Sequence, residues 1–153
     1  GEYWRMFTAH WAHVSWAHVG LNVLALFLLQ LLFGRQIGSG IASVAIIWLS
    51  LAVSGGLLLE GKSGLYVGLS GVLHGLYVLG ACLAWQHDRW LAGSVSLLLI
   101  GKVGLEQWRG PAAGMADLIG APVAIDAHLY GLVAGCALAA FLQLAAAVKS
   151  RLT

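Results

Sequence analysis

Charged side chains are scarce in this chain. Only 9% of its 153 residues are Asp, Glu, Lys or Arg, whereas 60% are hydrophobic, and the mean hydropathy is +0.87. A soluble domain carries about 25% charged residues, and a chain of this size has too little interior to hide so much apolar surface from water. The scarcity of charge therefore excludes an ordinary soluble domain and favours a membrane protein.

An excess of one charge sign is also missing, and cysteine and proline are rare. The net charge of +2 is too small and too scattered to form a nucleic-acid-binding surface. Cys82 and Cys136 both lie in apolar stretches, which favours packing residues over a disulfide pair. The prolines Pro111 and Pro122 both fall in one segment, Glu106 to Asp126, that separates the last two apolar stretches.

Five apolar stretches approach the length of about 20 residues that a membrane-spanning helix needs. We predict a single polytopic all-α bundle whose spans cover residues 16–33, 41–59, 65–85, 90–105 and 127–148. The half-polar residues 1–15 are expected to lie at the membrane interface. The chain begins with Gly1 rather than Met, and we expect one further helix to precede it.

Basic residues give a weak indication of topology. The positive-inside rule favours a cytoplasmic C-terminus, because one face would carry Arg35, Arg89, Lys149 and Arg151, and the other would carry Arg5, Lys62 and Arg109.

Polar residues in the apolar stretches are costly, so each is a candidate functional residue. His18 and Asn22 are one helical turn apart near the start of the first span, Ser70 and His74 near the start of the third, and His128 opens the fifth. Alternate spans run parallel, so their N-terminal ends lie at the same membrane face. The pattern predicts one polar pocket close to that face.

Ser70 lies in the sequence Gly68-Leu69-Ser70-Gly71. Small neighbours permit a tight bend and the close approach of a substrate carbonyl, as at the nucleophile turn of soluble hydrolases. Backbone N–H groups at the helix start, with the side chains of His18 and Asn22, can donate to a developing oxyanion. The alternative is that these small residues only pack helices together.

A serine needs a base to accept its proton, and His128 is the best-placed candidate. Gly131 and Gly135 follow His128 in a GxxxG pattern. This spacing permits the close approach of another helix, and it is also common as simple packing. Both interpretations favour contact between this helix and the one that carries Ser70.

Four further polar residues have milder interpretations. Lys102 and Glu106 are four residues apart and can form a helical ion pair or face a substrate. His10 and His13 lie in the interfacial segment, where anchoring at lipid headgroups is the default expectation.

The combined set resembles the rhomboid intramembrane proteases through Trp4-Arg5, His13, His18, Asn22, Gly68-Leu69-Ser70-Gly71, Ala127-His128, Gly131 and Gly135. The resemblance implies a six-helix core whose first helix is absent here, and a Ser70–His128 dyad without an acidic third member. It implies an oxyanion site from His18, Asn22 and the backbone at Gly68 and Ser70. His13 and Trp4-Arg5 would be structural parts of the first loop. The fourth span and the break after it would form the entry side for a membrane-protein substrate with a cleavable transmembrane segment.

One residue departs from the family pattern. Most rhomboids carry a tyrosine four residues after the serine, which stacks on the catalytic histidine, whereas this chain has His74. His74 is therefore a second candidate base, although its position one turn deeper than Ser70 favours a supporting role. Gly71 is a second residue expected to support the site. The run Gly-Leu-Ser-Gly-Val-Leu-His-Gly and Lys102 with Glu106-Gln107 resemble the rhombosortase branch. Its members are thought to trim bacterial surface proteins that end in a Gly-Gly-bearing membrane tail, which implies an inner-membrane enzyme with its site on the periplasmic side.

Two functions compete with proteolysis, which itself requires no metal or organic cofactor. His18 and His128 are a candidate ligand pair for b-type haem, but haem binding leaves Ser70, Asn22 and the glycines without a role. A non-catalytic rhomboid relative would bind membrane segments without cutting them. Such relatives usually lack the serine or the histidine, and this chain has both.

Overall fold

The computed structural model describes residues 1–61 and 66–152, and these ranges are helical without any strand. The elements are α1 (Arg5–Thr8), a 3₁₀ turn (Ala9–Trp11), α2 (Trp16–Phe33), α3 (Ser39–Leu59), α4 (Ser70–Ala84), α5 (Arg89–Arg109), α6 (Met115–Ile119) and α7 (Ile125–Leu152). The predicted all-α fold class is confirmed. α4 packs against α2, α3, α5 and α7, and ten of its 15 residues are buried, so it is the central helix of the bundle.

Three helices in the described ranges are long and apolar enough to cross a membrane, namely α2, α3 and α7. The apolar helix α4 has only 15 residues, which corresponds to about 22 Å, less than the hydrocarbon thickness of about 30 Å. Trp85, exposed at its C-terminal end, is typical of the membrane interface. We therefore expect Ser70, at the other end of α4, to lie below the opposite membrane surface.

Helix α4 corresponds to the predicted span 65–85 but starts later than predicted. Residues 66–69 are not helical, and α4 begins at Ser70. The reason is Gly68, whose φ of +114° lies outside the right-handed helical region. Leu65, the predicted start of this span, and Lys62 of the topology argument lie outside the described residues.

Helix α5, which corresponds to the predicted span 90–105, is longer than predicted at both ends. The Asp88 side chain caps its start by accepting a hydrogen bond from the Leu91 N–H at 2.9 Å. At the other end, Gly110 terminates the helix with a φ of +83°. Glu106 therefore lies inside α5 and not in the following connection, and this connection itself contains the short helix α6.

The first loop, residues 1–15, is held in place by a buried histidine. His10 is fully buried, which corrects the expectation that it anchors at lipid headgroups. Its Nε2 donates to the Ser50 carbonyl oxygen at 3.0 Å and lies 3.1 Å from Ser54 Oγ, with both partners on α3. Burial lowers the pKa of His10, with the hydrogen bond to Ser50 acting in the opposite direction. The neighbouring Ala9 carbonyl accepts from the Gly68 N–H at 3.1 Å, so this loop also holds the segment before Ser70.

Helices α4 and α7 pack backbone to backbone. A Cβ built on Gly131 would clash with the carbonyl oxygen of Gly71, and one on Gly135 would clash with that of Gly75. A Cβ on Gly71 would in turn lie 2.8 Å from the Ala127 carbonyl oxygen. Small residues on both helices therefore permit this contact.

Gly131→Ala should destabilise the protein because the added methyl group meets a rigid carbonyl and forces the two helices apart. Overpacking of this kind costs about 1–3 kcal/mol. Gly101→Ala is the matched control, since a Cβ at Gly101 on α5 would meet nothing within 4 Å. Thermal unfolding in detergent should show a lower Tm for Gly131→Ala and no loss for Gly101→Ala. Equal Tm values would show that the α4–α7 contact tolerates a side chain.

Candidate active site

The α4–α7 contact brings Ser70 and His128 together across 58 residues of sequence. His128 Nε2 lies 3.0 Å from Ser70 Oγ. Ser70 is the first residue of α4, and His128 lies in the first turn of α7. His128 is buried while Ser70 is half-buried, so the hydroxyl remains accessible from one side.

A carboxylate lies on the far side of the histidine ring. Glu106 Oε2 is 2.8 Å from His128 Nδ1, and Glu106 Oε1 is 2.7 Å from Lys102 Nζ. The resemblance implies a dyad without an acidic third member, whereas this structure has a carboxylate at the second ring nitrogen of His128. A carboxylate oxygen only accepts hydrogen bonds, so Nδ1–H donates to it and the lone pair of Nε2 is left to accept from the Ser70 hydroxyl.

His74 occupies the stacking position that the family pattern assigns to tyrosine. Its ring lies 4.1 Å from the His128 ring, centroid to centroid, with 17° between the planes. The His74 Nδ1–H donates to the Ser70 carbonyl oxygen at 2.7 Å. His74 thus contacts the backbone of Ser70 and the face of His128, whereas His128 Nε2 accepts the hydrogen bond from the Ser70 hydroxyl.

His18 and Asn22 both lie on α2, and the ring of His18 lies against the Gly68 backbone. A Cβ on Gly68 would be 2.6 Å from both Cε1 and Nε2 of His18. Ser15 caps the start of α2 by accepting from the His18 N–H at 3.1 Å, and Asn22 Nδ2 donates to the His18 carbonyl at 3.1 Å. The His13 ring packs edge-on against the His18 ring, with centroids 4.8 Å apart, so His13 supports His18 from the first loop.

These side chains face a cavity of about 830 Å³. Its walls come from α2, α4, α5, the connection after α5, and α7, and they are largely apolar. Of the predicted site residues, the cavity wall contains His18, Asn22, Ser70, His74 and His128. Gly71, Gly131 and Gly135 lie instead at the α4–α7 contact, and His13 lies behind His18.

His74, Glu106 and His128 also form a group with metal-ligand chemistry, because one ligand atom from each lies within 4.8 Å of the others. The two rings are stacked nearly parallel, so their in-plane lone pairs do not converge on one point. His74 Nδ1 is already hydrogen-bonded to the Ser70 carbonyl, and His128 Nδ1 is hydrogen-bonded to Glu106. The arrangement suits hydrogen bonding better than tetrahedral metal ligation.

The rhomboid domain family matches residues 1–144 of the 153-residue chain. The chain belongs to the rhomboid family. Rhomboids are an intramembrane protease family, so this rhomboid is an integral membrane protein of a family that acts on membrane-embedded substrates. Comparisons with curated proteins and with solved structures found no match.

The sequence did not predict two contacts around the candidate site. Glu106 is expected from its spacing to pair with Lys102 or to face a substrate, and its contact with His128 was not predicted because it depends on how α5 packs against α7. Gly75 completes a second GxxxG pattern with Gly71, which faces the pattern on α7. Counting small residues at this spacing on every span would have found it.

Gly68→Ala should displace His18, since the new methyl group would overlap its ring. Gly120→Ala is the control for a positive φ, because Gly120 has a φ of +77° and no atom within 4 Å of the added Cβ. The control should lose about 1 kcal/mol of unfolding free energy, and Gly68→Ala about 1–3 kcal/mol more. Unfolding in detergent, repeated with His18→Ala, measures the difference. An excess cost that stays equally large without the His18 ring would contradict this explanation.

Proposed function

We propose that this rhomboid is an intramembrane serine endopeptidase, with Ser70 as nucleophile and His128 as general base. The observation that carries the proposal is the 3.0 Å contact between His128 Nε2 and Ser70 Oγ at the wall of an apolar cavity. Base and nucleophile within hydrogen-bond reach, with the base oriented by a further group, are the geometric signature of nucleophilic catalysis. Both ring nitrogens of His128 are engaged, which argues against the alternative of haem ligation.

The reaction begins when a substrate segment enters the cavity and its carbonyl carbon meets Ser70 Oγ. The oxygen–carbon bond forms while the hydroxyl proton passes to His128 Nε2, and the carbonyl electrons move onto the oxygen. His128 then gives this proton to the leaving amine as the carbon–nitrogen bond breaks. Water repeats the sequence on the acyl-enzyme and releases the acid product.

In this proposal three groups hold the oxyanion, namely the first backbone N–H groups of α4 and the side chains of His18 and Asn22. Ser70 begins α4, and the first N–H groups of a helix have no partner within the helix. His18 lies against Gly68, two residues before the nucleophile, and Asn22 lies one turn further along α2 in the cavity wall. Donors fixed before reaction stabilise a developing negative charge without reorganisation.

Labelling with a fluorophosphonate probe tests the nucleophile and the base. The parent protein should be labelled, Ser70→Ala should not, and His128→Ala should react at least about a hundredfold more slowly because a general base contributes about 10²–10⁴ in rate. His87→Ala is the matched control, since His87 lies in the exposed turn before α5.

Each departure has a distinct meaning. A folded parent that is never labelled would support a non-catalytic binder of membrane segments. Labelling of Ser70→Ala would show that another nucleophile reacts. A slow His74→Ala variant beside a normal His128→Ala variant would identify His74 as the base.

For the substrate, we propose C-terminal membrane tails of surface proteins that carry a Gly-Gly pair, as in the rhombosortase branch. The supporting features are His74 stacked on His128, and Lys102 and Glu106 at the cavity wall. Each glycine weakens a helix by about 1 kcal/mol relative to alanine. A Gly-Gly pair therefore unwinds readily and frees a carbonyl for attack by Ser70.

Cleavage of two matched model tails tests this substrate class. The tail with Gly-Gly should be cut. The same tail with Leu-Leu in place of Gly-Gly should be cut much more slowly, because leucine favours an intact helix. Product should be absent with Ser70→Ala. Equal cleavage of both tails would contradict the rhombosortase proposal and leave the protease proposal standing.

A further inference from the structure

Glu106 on α5 is a largely buried carboxylate. Its side chain is only 11% exposed, and its two oxygens have different partners, Lys102 Nζ at 2.7 Å and His128 Nδ1 at 2.8 Å. A buried carboxylate is costly unless it is paired and hydrogen-bonded. Here the ammonium of Lys102, one helical turn away on α5, supplies the charge pairing.

We propose that Glu106 is a positioning residue for His128, so that Ser70, His128 and Glu106 act as a triad and Lys102 holds the carboxylate in place. This inference rests on the proposed protease function. It goes beyond the Ser70–His128 pair by assigning a task to a third and a fourth residue.

The tautomer of His128 carries the argument. A neutral imidazole has one N–H, and only the form with the proton on Nδ1 leaves Nε2 free to accept the Ser70 proton. Lys102 Nζ also lies 3.5 Å from Nδ1 and, as a donor, would favour the opposite form. The carboxylate at 2.8 Å is much closer and can only accept, so Glu106 selects the reactive tautomer.

The same contact matters after proton transfer. When Ser70 Oγ bonds to the substrate carbon, the proton moves to Nε2 and His128 becomes an imidazolium with a proton on each nitrogen. In an apolar surrounding a new positive charge is costly without a neighbouring negative charge. Glu106 supplies this charge at Nδ1 without taking the proton, as the carboxylate does in soluble serine proteases.

Substitution of Glu106 tests the proposal. Glu106→Gln should lower kcat at least about a hundredfold, since the comparable amide substitution in a soluble triad lowers kcat about 10⁴-fold. KM for the Gly-Gly tail should change little because the cavity keeps its shape. Glu106→Asp keeps the charge and should recover part of kcat. Glu2→Gln makes the same chemical change in the exposed pair with Arg5 and should leave kcat unchanged.

The Lys102 variants test the tautomer argument. Lys102→Met should lower kcat because the carboxylate loses its partner, whereas Lys102→Arg should retain most of it. The double variant Lys102→Met/Glu106→Leu removes the competing donor and should be more active than Glu106→Leu alone. A double variant no better than the single one would contradict the argument that Lys102 favours the wrong tautomer.

Fluorophosphonate labelling separates the failure of this inference from the failure of the proposed function. If the parent is labelled, Ser70→Ala is not, and Glu106→Gln reacts within about twofold of the parent, the triad is wrong and the Ser70–His128 pair stands. If the folded parent itself is neither labelled nor cleaves, the protease proposal fails first. A fall in Tm for Glu106→Gln that Glu106→Asp restores without restoring kcat would show a structural role only.

Discussion

The backbone contact between α4 and α7 is the constraint on which the rest of the site depends. Ser70 directly precedes Gly71 on α4, and His128 lies three residues before Gly131 on α7. Because each of these glycines meets the backbone of the other helix, the crossing also sets the distance between the serine and the histidine. Glycine here contributes mainly through the missing Cβ, since both residues are in regular helix. A methyl group at the crossing would separate the helices and the two side chains together.

Four polar groups of the site are connected to one another, which matters in an apolar protein. Hydrogen bonds and an ion pair run from Lys102 through Glu106 and His128 to Ser70. An unpaired buried polar group costs several kcal/mol in a hydrocarbon environment. The hydrogen bonds to Lys102 and His128 therefore stabilise the buried carboxylate of Glu106 on α5. A buried hydrogen bond from His10 to the Ser50 carbonyl likewise joins the first loop to α3. The contacts that hold the helices together thus also orient the groups that we propose to be catalytic.

The sequence predicted the helices well where local signals are strong. Long apolar stretches located α2, α3 and α7 because the pattern depends only on neighbouring residues. It was less accurate at the start of α4, where Gly68 takes a conformation that depends on the first loop and on His18. His10 was misjudged for a similar reason. A histidine in a half-polar segment with several aromatic residues looks interfacial, and only the packing of the loop against α3 reveals its burial.

Residue types and spacing by themselves determined that this chain is a helical membrane protein, and they selected Ser70, His18, Asn22 and His128 as polar groups at matching depth. They could not determine distance, since helices of equal depth can be neighbours or lie apart. The tertiary structure decided that His128 meets Ser70, that His74 stacks on it, and that Glu106 lies at its other nitrogen. The physical reason is that hydrogen bonds act over about 3 Å, and contacts at that range between residues far apart in sequence are set by how the helices pack.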